Sequence, residues 1–106
     1  MNPLEIEIIK HIESFNLEEK ALKGLAIIKE DISNAGGELD GYALDEMLFI
    51  YNRKELRIEK KLHQTLILAR FDIYLKDVDL SSKIGFYDYV VDFNGNFKDD
   101  FFVIEK

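Results

Sequence analysis

The sequence predicts an α+β fold: two N-terminal antiparallel helices packed on one face of a three- to five-stranded antiparallel meander that ends in a C-terminal hairpin. Three observations point there. Helical apolar spacing is strongest in the first third of the chain and stops at Ala35-Gly36-Gly37. Ile67, Ala69, Phe71, Ile73 and Leu75 alternate with other residues, which is the period of a strand. Near the C-terminal end Asn94-Gly95 separates two apolar segments, and Asn-Gly is the strongest short-range hairpin signal. Helices followed by a run of strands define α+β.

The first helix starts at Asn2, a capping side chain, with Pro3 in the first helical position. Its stripe is Leu4, Ile8, Ile12 and Phe15, with Ile9 beside it. Asn16 begins the second helix, and Glu19 three residues on makes a variant of the capping box. Leu17, Ala21, Leu25, Ile28 and Ile32 form the core face, flanked by Leu22 and Ala26. Gly24 in the helix interior costs about 1 kcal/mol relative to Ala, and its small size permits close packing of a neighbouring element. A tight turn at Asn16 is expected to fold the two helices into an antiparallel pair.

The segment from Glu38 to His63 supports two readings. Met47 to Tyr51 is a short apolar run and Leu56-Arg57-Ile58 alternates, so a hairpin turning at Asn52-Arg53-Lys54 fits. The helix-forming run from Arg53 to Lys61 fits a continuous helix from Ala43 to about Leu62 instead. Strands are the preferred reading. Thr65 to Lys76 is a strand whose second face carries Leu66, Leu68, Arg70, Asp72 and Tyr74. Asp77 to Lys83 is a polar connection.

The closing hairpin runs from Ile84 to Phe93, turns at Asn94-Gly95, and returns from Asn96 to Glu105. A two-residue type I′ turn sets Phe93 opposite Asn96. One face then carries Ile84, Phe86, Val90, Phe97, Phe101 and Val103 with Asp88, Asp92 and Asp99. The other carries Tyr87, Tyr89, Val91, Phe93, Phe102 and Ile104 with Lys98 and Asp100. A half-exposed strand pair alternates apolar and polar residues, and this one is apolar on both sides, so either both faces are buried core or one face waits for a partner. The helices are expected to cover Ile67, Phe71, Ile73, Ile84, Phe86 and Val90. That leaves Tyr74, Tyr87, Tyr89 and Phe102 uncovered, with Leu66, Leu68 and Arg70, and a large exposed apolar patch marks an interaction site.

Length and composition bound the function. A chain of 106 residues is one domain, spanning residues 1–106. There is no Cys, which removes disulfides, thiolate metal sites and Cys nucleophiles and suits a reducing cytoplasm, the expected location. The start, Met1 to Glu7, has neither a basic segment nor a long apolar one, so it is not read as a signal peptide. No apolar run approaches the ~18 residues of a membrane span. The net charge of −7 disfavours nucleic acid and anionic membrane, which need a positive footprint, and favours a basic protein partner by electrostatic steering. Arg53, Lys54, Arg57, Lys60 and Lys61 form a local basic cluster, while acids concentrate between Asp72 and Asp100.

No catalytic or cofactor signature appears. Asp92, Asn94 and Asn96 place oxygens at alternate positions as a calcium loop does, but Phe97 stands where that loop needs Gly and Val103 where it needs a bidentate Glu. His11 and His63 are the two His residues, and neither belongs to a ligand pattern. No nucleophile elbow or phosphate-binding Gly-rich loop is present. The hairpin carboxylates read as solvated charges rather than an acid–base pair. The chain is therefore not read as an enzyme, and no metal or cofactor is expected.

Small size, acidity, absence of Cys, the helix-then-sheet layout and the closing stretch from Asp92 to Lys106 resemble the immunity proteins of bacterial toxin delivery systems. The resemblance implies a protein that binds and neutralises one cognate toxin, often a basic nuclease. The expected partner-binding residues are Tyr87, Asp88, Tyr89, Asp92, Asp99 and Asp100: carboxylates to pair with Lys or Arg, aromatics to anchor. A structural homodimer, or a non-catalytic subunit of a larger complex, is the alternative.

Overall fold

A computed structural model describes residues 2–61, 63–76 and 82–105. Helix α1 (Pro3–Glu13) begins where the cap signal lies: the Asn2 side chain accepts the Glu5 backbone N–H at 2.8 Å. Helix α2 (Leu17–Asn34) follows after three residues, and the expected antiparallel pair does not form. Asn16 adopts a left-handed conformation (φ 51°, ψ 48°) and makes no side-chain cap. Backbone hydrogen bonding continues through the joint, from Asn16 N–H to Glu13 and from Lys20 N–H to Asn16. A single left-handed residue, a conformation Asn tolerates better than most, therefore bends one helix into two pieces.

After α2 a small hairpin pairs β1 (Glu38–Leu39) with β2 (Tyr42–Ala43). Its central residues Asp40 and Gly41 both have positive φ, 51° and 87°, as a type I′ turn requires. A single 3₁₀ turn (Leu44–Glu46) leads into the main sheet: β3 (Met47–Glu59), β4 (Gln64–Leu75), β5 (Lys83–Asp92) and β6 (Phe97–Ile104). The strands are antiparallel in the order β3-β4-β5-β6. The preferred strand reading of the middle of the chain holds, but without the expected turn. Asn52-Arg53-Lys54 is no turn; β3 runs through it as one 13-residue strand. The pairing with β4 slips between Tyr51 and Arg53, leaving Asn52 as a bulge whose amide donates to Asp72 at 3.0 Å. The chain reverses between Glu59 and Gln64 instead. Helix-forming residues here are overruled by pairing along the whole of β4. The connection expected over Asp77 to Lys83 falls largely outside the described residues.

The closing hairpin has the predicted ladder but a different turn. Gly95 N–H bonds to the Asp92 carbonyl at 3.0 Å and Asp92 N–H to the Asn96 carbonyl at 2.9 Å, so the loop holds three residues, with Gly95 left-handed at φ 87°. Val91 pairs with Phe97 and Val90 with Asp99. Lys98 absorbs the extra residue, and the expected pairs hold from Val90/Asp99 to Gly85/Ile104.

The face beneath the helix also differs from expectation. Ile67 pairs with Val91 and Phe71 with Tyr87, so the Tyr face and the Ile67–Phe71 face are the same face. Leu17, Ala21 and Leu25 of α2 pack there on Ile67, Ala69, Phe71, Tyr87 and Val91. Tyr89 and Phe102 pack against this core as well. A second cluster joins Met47, Ile73 and Ile84 to Leu39, Tyr42 and Leu44. A bulge in the β4–β5 pairing next to Ile73 brings Ile84 to this side. Phe86 and Val90, expected under the helices, lie on the opposite face with Leu66, Leu68 and Arg70. A long connection leaves the β4–β5 register free in sequence terms, and a one-residue change in register exchanges faces.

Candidate protein-docking site

Helix α2 does not reach over the edge of the sheet. Between it and β6 runs a groove of about 340 Å³ lined by Lys20, Lys23, Gly24, Ile27, Tyr89, Phe97 and Asp100. Gly24 shapes its back wall, because a Cβ there would strike the Tyr87 hydroxyl and come within 3.1 Å of the Tyr89 ring. The Tyr89 and Phe97 rings lie 5.2 Å apart between centroids. Ile27 is 63% exposed and Phe97 55%, so two large apolar side chains meet water side by side. β6 is an edge strand, and its outer backbone groups have no partner strand among the described residues.

The polar groups are fixed from below. Tyr87 has no exposed surface and donates its hydroxyl to Asp100 Oδ2 at 2.9 Å. Burial, then the hydrogen bond to Asp100, push the Tyr87 phenol far above its ordinary range. Burial, then the Asp100 charge, raise Tyr89 as well. Both tyrosines stay neutral, and Asp100 is the negative charge at the floor. Lys20 and Lys23 stand at the helix rim, Lys23 at 4.0 Å from Glu19 on the exposed helix surface.

The six sequence-predicted residues do not gather at one place. Tyr89 and Asp100 line the groove; Asp99 is exposed on β6 but pairs with Val90 and faces the other side of the sheet. Tyr87 lies enclosed beneath α2 and offers a partner no surface. Asp88 is on the opposite sheet face, 4% exposed, gripped by two Arg70 nitrogens at 2.7 Å each. Asp92 serves the turn: its Oδ1 accepts the N–H groups of Asn96 and Asn94 at 2.9 Å. Those N–H groups, Asn96 first, hold its carboxyl below the ordinary aspartate range. The turn thus accounts for the oxygens at Asp92, Asn94 and Asn96.

Five of the seven groove residues were missed by the sequence reading: Lys20, Lys23, Gly24, Ile27 and Phe97. Ile27 is an apolar residue off the core stripe of α2, and that displacement is its only signal. Phe97 was placed on the other face; the extra residue at Lys98 turns it to the helix side. His11 is structural. Its Nε2 lies 2.5 Å from the Phe93 carbonyl, and its ring sits between Phe15 and Phe93, at 4.7 and 4.6 Å. Among the described residues no group of three or more His, Cys, Asp or Glu is placed to hold a metal ion, and no helix is long and apolar enough to cross a membrane. Comparison with family models, with curated proteins and with solved structures finds no match to this chain.

Proposed function

We propose that this chain is a protein-binding module that neutralises a cognate bacterial toxin. The observation that supports it is the groove between α2 and β6, where exposed Ile27 and Phe97 adjoin half-buried Tyr89 and the Asp100 carboxylate. Apolar and aromatic anchors at the centre with charges at the rim are the anatomy of a protein interface. The free edge of β6 adds main-chain groups that an extended partner segment can pair with. The chain's negative charge speeds encounter with a basic toxin domain. The work is binding rather than catalysis: Asp100 is engaged by Tyr87 and Asp92 by its own turn.

The test uses the product of a toxin-like gene adjacent to this chain's own. Binding is measured by calorimetry at low and high salt, and neutralisation by growth of cells that produce the toxin. Ile27→Glu and Phe97→Glu are expected to weaken binding at least tenfold with little change in melting temperature. Higher salt is expected to weaken binding by the wild-type chain. Full neutralisation by both variants would remove the groove from the interface, and no binding at either salt would remove the function.

A further inference from the structure

The sheet face turned away from α2 carries Leu48, Ile50, Leu66, Leu68, Phe86, Val90, Phe101 and Val103 in register across the four strands. None of these belongs to either core cluster; at the centre Leu68 (1% exposed) and Val90 (7%) are already shielded within the chain, so the face is open toward its edges. Phe101 is 48% exposed and Ile50 37%. At the centre the Arg70 guanidinium lies over the Phe86 ring at 4.0 Å and pairs with Asp88.

We propose that this face is covered by a second copy of the same chain, related by a two-fold axis running parallel to the strands between β4 and β5. The charge pattern selects both the occupant and the axis. Arg53, Arg70, Asp88 and Phe101 form one row across the sheet. The proposed rotation exchanges β4 with β5 and β3 with β6. Each Arg70 then lies over the other copy's Asp88, and each Arg53 over the other copy's Phe101, a cation–aromatic contact. In the adjacent rows Ile50 meets Val103 and Asp72 meets Phe86, while Leu68 lies over Val90, both already shielded within their own chain. A two-fold axis across the strands through the same row would set Arg70 on Arg70 and Asp88 on Asp88, and like charges face to face are destabilising. The one like-charged pair in the favoured arrangement is Glu55 with Asp99. Glu55 is flanked by Arg53 and Arg57, whose side chains contact it, and Arg57 above all holds its carboxyl below the ordinary range. Two sheets packed with strands roughly aligned are a standard sandwich, and a self-complementary patch is what an isologous dimer requires.

This inference is independent of the toxin reading, which uses the other side of the molecule, and salt separates the two. Two copies of a chain of charge −7 repel at long range, so added salt strengthens the dimer, whereas it weakens a complex with a basic toxin. The experiment is sedimentation of the purified chain across a concentration series at low and high salt. A monomer–dimer equilibrium that tightens with salt is expected, and Phe101→Lys is expected to raise its dissociation constant at least tenfold without changing the circular dichroism spectrum. The axis is read by cross-linking, since the chain has no Cys of its own. The double variant Ile50→Cys with Val103→Cys, treated with a short thiol cross-linker, is expected to give covalent dimers. Ile50→Cys with Glu55→Cys, the pair a crosswise axis would juxtapose, is expected to stay monomeric in denaturant. A monomer at all concentrations, a dimer indifferent to Phe101→Lys, or cross-linking of the second pair alone would overturn the proposal. So would loss of toxin binding by Phe101→Lys in a chain that remains monomeric.

Discussion

Gly24 of α2 stands directly over the Tyr87 hydroxyl of β5, and its missing side chain lets helix and sheet approach there. Alanine at this position would ordinarily stabilise a helix by about 1 kcal/mol. Here its methyl meets a phenol enclosed on all sides. Gly24→Ala is therefore expected to lower stability by about 1–3 kcal/mol, the usual cost of overpacking a core. Tyr87→Phe loses the hydrogen bond to Asp100 and is expected to cost about 1 kcal/mol. With the hydroxyl gone, the added methyl has room, so the double variant is expected to be more stable than the two separate losses predict. Urea denaturation of the four proteins measures that coupling, and strict additivity would mean the two groups do not collide.

The Arg70–Asp88 pair is expected to matter more than any other ion pair described. Its side chains are 17% and 6% exposed, and two hydrogen bonds of 2.7 Å join them. Asp88→Ala leaves a guanidinium half-buried on Phe86 without its counter-ion, and a loss of about 3 kcal/mol is expected. Lys23→Ala, which removes an exposed contact with Glu19 at 4.0 Å, is expected to change stability by less than about 0.5 kcal/mol. Equal losses in thermal melts of the two variants would contradict the difference in burial.

Acid should loosen the closing turn. The Asp92 carboxyl is depressed by the backbone N–H groups of Asn96 and Asn94. A carboxyl depressed on folding stabilises the folded state above its unfolded pKa of about 4. That contribution fades as the pH falls through the lower, folded value. The Asn94 and Asn96 amide resonances are expected to shift together below about pH 4, and the shift is expected to vanish in Asp92→Ala. Unmoved amide resonances across that range would contradict the role given to this side chain.

The two pieces of the bent helix should differ in protection. None of the residues of α1 is buried, and Leu4 is 66% exposed, whereas Leu17, Ala21, Leu25 and Ile32 of α2 are buried. Amide hydrogen exchange is expected to be fast over Ile6 to Ile9 and slowest over Ala21 to Ile28, because local opening is easiest where few apolar contacts are lost. Ile67→Ala, beneath α2 with no exposed surface, is expected to cost about 2–5 kcal/mol. Leu4→Ala is expected to change stability by no more than about 0.5 kcal/mol.

Signals that act over a few residues were legible in the sequence. Asn2 caps α1, Gly36-Gly37 follows the end of α2, and alternation from Ile67 to Leu75 is a strand. The hairpin ladder from Val90 to Gly85 was legible too, because a turn constrains its neighbours. Contacts that depend on register between distant segments were not. Nothing near Phe71 announces that it pairs with Tyr87 rather than with a neighbour, and that choice decides which face α2 covers. The helix-forming run around Arg53 to Lys61 obscured β3, whose partner lies elsewhere in the chain. The sequence reading passed over Asp40-Gly41, which takes the type I′ form, while at Asn94-Gly95 the Asp92 side chain favours a longer loop by accepting two N–H groups. Of the groove, Tyr89 and Asp100 were legible as residue types. Its shape was not, since it arises where α2 stops short of an edge strand.

The contact between His11 and Phe93 spans 82 residues. α1 is made before the turn it grips, so this contact waits for the closing hairpin. Until then the rings of His11 and Phe15 lack the Phe93 ring that completes their packing. Closing so long a loop is also slow. A helix of 11 residues with no buried side chain is marginal by itself, so α1 gains its footing there only when Phe93 arrives.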